Sequence, residues 1–98
     1  MTTVHIEAPI TDFDLFKSQF DRNAELRRKA GVQHYRVQRP VDDPATVVID
    51  LDFPTIEQAE GFLYTVRTKV WPDKERSSSL AGTPRTRILE PAEEKDVT

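Results

Sequence analysis

Acid–base chemistry in this chain would have to come from His5 and His34 acting with Asp50 and Asp52, and aromatic recognition from Tyr35 and Trp71. A histidine held by a carboxylate is an oriented general base, so His34 facing Asp50 or Asp52 across a sheet is the first such arrangement to consider. A histidine on a polar sheet face is more commonly a structural hydrogen-bond partner, and that reading stands beside the catalytic one for His34 and His5 alike. His34 and Tyr35 are adjacent in a stretch with strand character. Their side chains therefore point to opposite faces and cannot form one dyad within a chain. Tyr35 as a donor and Trp71 as a rim could line an apolar substrate pocket, although inward aromatic residues are also plain core. No residue is singled out as catalytic.

Other chemistries lack their residues. The chain has no cysteine, which removes disulfides, thiolate catalysis, iron–sulfur clusters and cysteine-based zinc sites together. Two histidines sharing a face with Asp50 and Asp52 could supply enough ligands for a metal, but no compact ligand spacing supports this, and no metal is expected. Gly61 and Gly82-Thr83-Pro84 do not make a phosphate loop. No serine lies in a nucleophile elbow, and Ser77-Ser78-Ser79 reads as a helix end or loop.

The elements that must position the candidates follow from periodicity. Thr3 to Ala8 alternate polar and apolar until Pro9, giving a first strand with Val4 and Ile6 inward. Thr11 caps a helix whose stripe is Phe13, Phe16, Phe20 and Ala24, and Arg27-Arg28-Lys29 followed by Gly31 close it. Val32 to Arg39 form a second strand, and Pro40 to Pro44 a turn. Thr46 to Phe53 form a third strand, with Val47, Ile49, Leu51 and Phe53 on one face and Asp50 and Asp52 on the other. Thr55 and Gln58 make a capping-box pattern for a helix carrying Ile56, Ala59, Phe62, Leu63, Val66 and Val70 up to Pro72. Residues 73–80 continue as a short angled piece, and Arg85 to Glu90 form the last strand. The order βαββαβ predicts an α+β, ferredoxin-like domain over residues 1–91, with a four-stranded antiparallel sheet and both helices on one face. Residues 92–98 are expected to be a charged, mobile tail.

If the apolar set of each strand faces the helices, the opposite face carries His5, Glu7, Asp50, Asp52, Arg85 and Arg87. The register of the second strand is open. With Tyr35 and Val37 inward, His34 and Arg36 join that face, whereas a slip of one residue exchanges His34 for Tyr35 on the inner side. The outer face is then nearly charge-balanced and fits a paired surface; a solvated sheet with cross-strand ion pairs is the alternative. The inner side collects Phe13, Phe16, Phe20, Tyr35, Phe53 and Phe62, with Trp71 at its mouth. Candidate substrate contacts are Tyr35, Trp71, Phe16, Phe20 and Phe62.

Composition favours pairing. Ninety-eight residues form one domain, because two cores could not each bury enough surface. Hydrophobic residues are 37% of the chain and, with its three Gly, about 40%, below the roughly 45–50% usual for apolar residues with glycine included. The core is lean, and a second copy of the chain would add burial. Fourteen Lys and Arg against seventeen Asp and Glu give a net charge of −3, with no basic footprint for nucleic acid. Asp50 and Asp52 also stand where an RNA-recognition sheet would need basic and aromatic residues. No stretch approaches the length of a membrane span, and no basic segment precedes an apolar run at the N-terminus. No membrane partner is expected, and the location is expected to be cytoplasmic.

Several of these marks occur together in one superfamily. Ala30-Gly31-Val32 leads into a strand, Asp43-Pro44 makes a turn, and a strand ends in Asp52-Phe53. Glu57, Ala59 and Phe62 follow on a helix, and Gly82 and Pro84 precede a last strand ending at Glu90. Over residues 3–90 this resembles the dimeric α+β barrel superfamily, particularly its antibiotic-biosynthesis-monooxygenase-like members. The resemblance implies a homodimer joined through the charge-balanced face (His5, His34, Arg36, Asp50, Asp52, Arg85 and Arg87), with ligands held between each sheet and its own helices. It also implies a cofactor-independent monooxygenase acting on an aromatic or polycyclic molecule; no cofactor is expected. Haem-degrading members need an iron-ligating histidine on the second helix, and residues 56–71 contain none. A non-catalytic homodimer binding a small apolar ligand, or an accessory protein, stays open beside the enzyme.

Overall fold

A computed structural model describes residues 1–97; Thr98, the end of the expected tail, lies outside the described residues. The elements are β1 (Thr2–Pro9), α1 (Phe13–Arg22), α2 (Ala24–Ala30), β2 (His34–Gln38), β3 (Thr46–Phe53), α3 (Ile56–Thr65), a π-helical turn (Val66–Val70), α4 (Lys74–Ser77) and β4 (Arg85–Leu89). The sheet is antiparallel with order β2-β3-β1-β4. This is the ferredoxin-like arrangement, in which β1 and β3 hold the centre and are tightly alternating. Val4, Ile6 and Ala8 of β1 and Val47, Ile49, Leu51 and Phe53 of β3 are buried under the helices, joined by Phe16, Ala59, Phe62, Leu63, Val66 and Val70. Among the described residues no helix is long and apolar enough to cross a membrane.

The open register is resolved by β2–β3 pairing. Tyr35 lies opposite Leu51 and Val37 opposite Ile49, while His34 faces Asp52 and Arg36 faces Asp50. Cross-strand partners share a face, so Tyr35 and Val37 are on the helix side and His34 and Arg36 on the other.

Four local expectations are corrected. The strand does not stop before Pro9, which pairs with Thr46. The Pro9 carbonyl accepts from Ala81 N, and in an antiparallel strand N and O of one residue point to the same side, so the missing donor falls beyond the end of β4 and costs no ladder bond. Asp12, not Thr11, caps α1, its carboxylate accepting from Leu15 N at 2.8 Å. The long first helix is broken at Asn23, whose Nδ2 donates to the Gln19 carbonyl at 3.1 Å; this competes with the backbone ladder and bends the chain. The break leaves Gly31 at φ 95° to end α2 in the left-handed conformation, as the sequence implied. Finally, the helix after Thr55 widens in its last turn, where Trp71 N donates to the Val66 carbonyl five residues back. That widening sets the direction in which Trp71 leaves the helix.

Candidate functional site

The outer face of the sheet holds the acid–base candidates. Arg36, Asp50, His5 and Arg87 form one cross-strand row, and His34, Asp52, Thr3 and Leu89 the next. His5 is clasped from both ends: Nδ1 lies 2.6 Å from Asp50 Oδ1 and Nε2 3.2 Å from Glu7 Oε2. Gln38 donates to the other Asp50 oxygen at 3.2 Å, and Thr3 donates to Asp52 at 2.5 Å. The arrangement considered first, His34 with a carboxylate, is the looser one: 3.4 Å to Asp52, on a histidine side chain that is largely exposed. The oriented histidine is His5, because Asp50 stands opposite it on β3 and Glu7 follows two residues on along the same face of β1. The face forms a shallow basin of about 570 Å³ bordered by His5, His34, Arg36, Asp50 and Asp52 together with Met1 and Leu89. Arg36, Arg85 and Arg87 are exposed and, among the described residues, make no ion pair. No cluster of three or more metal-ligating side chains occurs among the described residues.

Burial alone would lower the His5 pKa, but the hydrogen bonds and charges of Asp50 and Glu7 together outweigh it, and the net shift is upward from 6.5. A group whose folded pKa is raised stabilises the fold fully below its unfolded value and loses that contribution as pH rises through the folded value. The His5 resonance is therefore expected to titrate above 6.5 by NMR. Thermal stability should fall as pH rises from that point, and the fall should be smaller in His5→Gln. A His5 midpoint below 6.5 would contradict the clasp.

The second site lies on the other side of the sheet. A cavity of about 80 Å³ sits between Ile6, Ala8, Ile49 and Leu51 of the strands and Phe16, Phe20, Phe62, Val66, Val70 and Trp71 of the helices. Four of the five expected substrate contacts (Phe16, Phe20, Phe62 and Trp71) are thus brought together. Tyr35 has the expected face but not the expected place. It stands on the edge strand, 42% exposed, with its ring edge-on to Phe20 at 5.2 Å, and does not border the cavity. Phe16 and Phe20 are stacked at 5.7 Å, and Phe62 tilts against Phe53 at 5.3 Å.

The cavity wall includes buried polar residues that the hydrophobic pattern did not reveal. Gln19 Nε2 donates to Ser78 Oγ at 2.7 Å and its Oε1 accepts from Ser79 N at 3.1 Å, which ties α1 to the segment after α4. Ser77 Oγ donates to the Trp71 carbonyl at 2.7 Å and holds the chain where the tryptophan emerges. Arg27, read from the sequence as a closing helix charge, is 6% exposed and borders the cavity. Its Nη1 donates to the Phe20 carbonyl at 2.6 Å. That carbonyl accepts from Asn23 N at 3.1 Å in the tightened turn at the break, and the guanidinium is its second donor in place of a partner at position 24. The residues that border the cavity include no histidine and no carboxylate.

No protein-family model and no curated protein matches the sequence. Solved structures do match. A protein provisionally assigned as an antibiotic biosynthesis monooxygenase from Bordetella bronchiseptica superposes with a TM-score of 0.74 at 13% identity, over 93% of this chain and 97% of its own. One with the same provisional assignment from Nitrosomonas europaea gives 0.69 at 18% identity, over 95% and 100%. SnoaB, a cofactor-independent oxygenase from Streptomyces nogalater, gives 0.70 at 16% identity, over 95% and 93%. At these identities the likeness is one of fold: the chain has the ferredoxin-like α+β architecture of the antibiotic-biosynthesis-monooxygenase-like proteins, as its sequence marks suggested.

Proposed function

We propose that this chain is a cytoplasmic homodimer that holds a small aromatic molecule in its helix-side cavity and oxygenates it without a cofactor. The observation that carries the reading is the cavity itself, an apolar space walled by Phe16, Phe20, Phe62 and Trp71 between the sheet and its helices. Such a space binds by excluding water from a ring. The similarity in fold to SnoaB supports the catalytic step. At about 80 Å³ the cavity is about half the size of an engineered one of about 150 Å³ that lodges benzene, so a single ring enters only if the walls move apart, and a fused set is disfavoured further. Dimerisation is supported by the balanced outer face, where exposed arginines without carboxylate partners alternate with the His5 and His34 pairs. Two such faces related by a two-fold axis can each supply what the other lacks.

In a reaction without a cofactor the electrons come from the substrate, and the cavity wall offers neither a histidine nor a carboxylate to take its proton. In a one-ring hydroquinone, a ring carbon bearing hydrogen gains one oxygen atom of O2, the other leaves as water, and the four electrons required leave the ring as it becomes a hydroxyquinone. Hydroquinone is therefore the test. Oxygen uptake above the buffer rate, with 18O from O2 appearing in the hydroxyquinone, is expected. Quenching of Trp71 fluorescence on binding, with no uptake, would instead support a non-catalytic carrier. That second reading is favoured by the commitment of Gln19 and Ser77 to structural hydrogen bonds.

A further inference from the structure

We propose that the helix-side cavity selects aromatic anions, with the Arg27 guanidinium as the partner of the ligand's acidic oxygen. The inference rests on the reading of that cavity as a small-molecule site and adds the charge of what it takes. Arg27 is 6% exposed, yet among the described residues it makes no ion pair. Buried charges are ordinarily paired, because removing an ion from water costs several kcal/mol that a counter-charge must offset. Here the offset within the chain is partial. The guanidinium lies 3.7 Å from the Phe20 ring centroid and 5.1 Å from that of Tyr35, and one nitrogen is bonded to the Phe20 carbonyl. A guanidinium has five donors in a planar fork; two aromatic rings, the Phe20 carbonyl and the Tyr35 hydroxyl as a further hydrogen-bond partner bring no carboxylate and still leave donors over.

The neighbouring polar groups do not compete for that role. The Gln19 amide and the Ser77 hydroxyl are already engaged with Ser78, Ser79 and Trp71. Asp21, an acid whose charge acts on Arg27 without forming an ion pair with it, is bound to Lys17 at 2.8 Å. Two arginines border the cavity; Arg76 is exposed and faces Asp73 at 3.8 Å, so the buried cation without a carboxylate is Arg27, and it is complementary to a ring bearing a carboxylate or phenolate oxygen. The ring displaces water among Phe16, Phe62 and Trp71, and the oxygen meets the fork.

Benzoate and benzamide separate the charge from the ring, since they share size and shape. Titrated by 1H–15N NMR, both are expected to shift residues bordering the cavity, with benzoate about 10-fold tighter, the scale of one charge-assisted hydrogen bond. Arg27→Gln should bring benzoate down to the benzamide affinity, with benzamide weakened much less than benzoate. Arg27→Lys keeps the charge and should retain a preference for benzoate, which guards against a folding defect in the glutamine variant. Equal affinities for the two probes in the wild type would overturn the role of Arg27 and leave the cavity reading standing. No cavity shifts with either probe would overturn the cavity reading and this inference with it. A benzoate preference undiminished in Arg27→Gln would place the anion elsewhere and overturn the assignment.

Discussion

Replacing Phe62 with alanine is expected to destabilise the fold by about 3–5 kcal/mol, the range for removing a packed core phenylalanine. Phe62 is 5% exposed and lies on the inner stripe of α3 with Ala59, Leu63 and Val66, tilted against Phe53, which is fully buried in the sheet. The same side chain borders the cavity on its other side. Truncation would therefore not make a new isolated void but merge with an existing one. Collapse is resisted because Ala59 and Leu63 fix the distance of α3 from the sheet. For a chain of this length the loss corresponds to a drop in Tm of about 12 °C or more. Urea unfolding followed through Trp71, the one tryptophan, at fixed protein concentration gives the free energy directly. A loss under about 1.5 kcal/mol with an unchanged m-value would show that the ring serves the cavity and contributes little to the core.

The fold was legible because its signals were redundant. In β3 the alternation of Val47, Ile49, Leu51 and Phe53 with Asp50 and Asp52 defines both faces of the sheet, and pairing carries that parity to His5, His34 and Tyr35. Parity says which face a side chain takes but not how far from the sheet edge it stands. For that reason Tyr35 was legible as helix-facing and its distance from the cavity was not. The break at Asn23 was illegible for a different reason. Asparagine inside a helix can face solvent or bond back to its own backbone, and only the second bends the chain. That bend carries Arg27 inward to cap the Phe20 carbonyl, where the sequence offered a cation suited to a helix C-terminus. A trace of the outcome existed: positions 16, 20, 23 and 27 fall at helical spacing on one side. Likewise His5 was as visible as His34, and Glu7, two residues on in the same strand, was a legible neighbour; the Asp50 partner at 2.6 Å, against 3.4 Å for His34 and Asp52, emerges only from strand order.

Asp50→Arg is expected to turn the proposed dimer into a monomer. Asp50 is the only acid in the row formed with Arg36, His5 and Arg87, and reversing its sign makes four neighbouring cationic positions. Like charges directly opposite on adjacent strands are unfavourable by themselves, by roughly 0.2–1 kcal/mol per pair. In an isologous interface each row also meets its copy, so the change acts twice and is desolvated. Removing one partner from a buried charged network costs about 3–5 kcal/mol. Even the lower figure, at 1.4 kcal/mol per decade, weakens association more than about 100-fold. Light scattering at micromolar protein should accordingly give twice the 11.3 kDa chain mass for the wild type and the single mass for Asp50→Arg. Circular dichroism should show the same secondary structure in both. Asp50→Asn, which removes the charge but can still accept from His5, should fall between them. Added salt should weaken the wild-type dimer only in part, since buried pairs are poorly screened. A wild-type mass of 11.3 kDa would sink the pairing outright. A dimer that survives the charge reversal would move the interface away from this face and leave the His5 clasp as a solvated surface network.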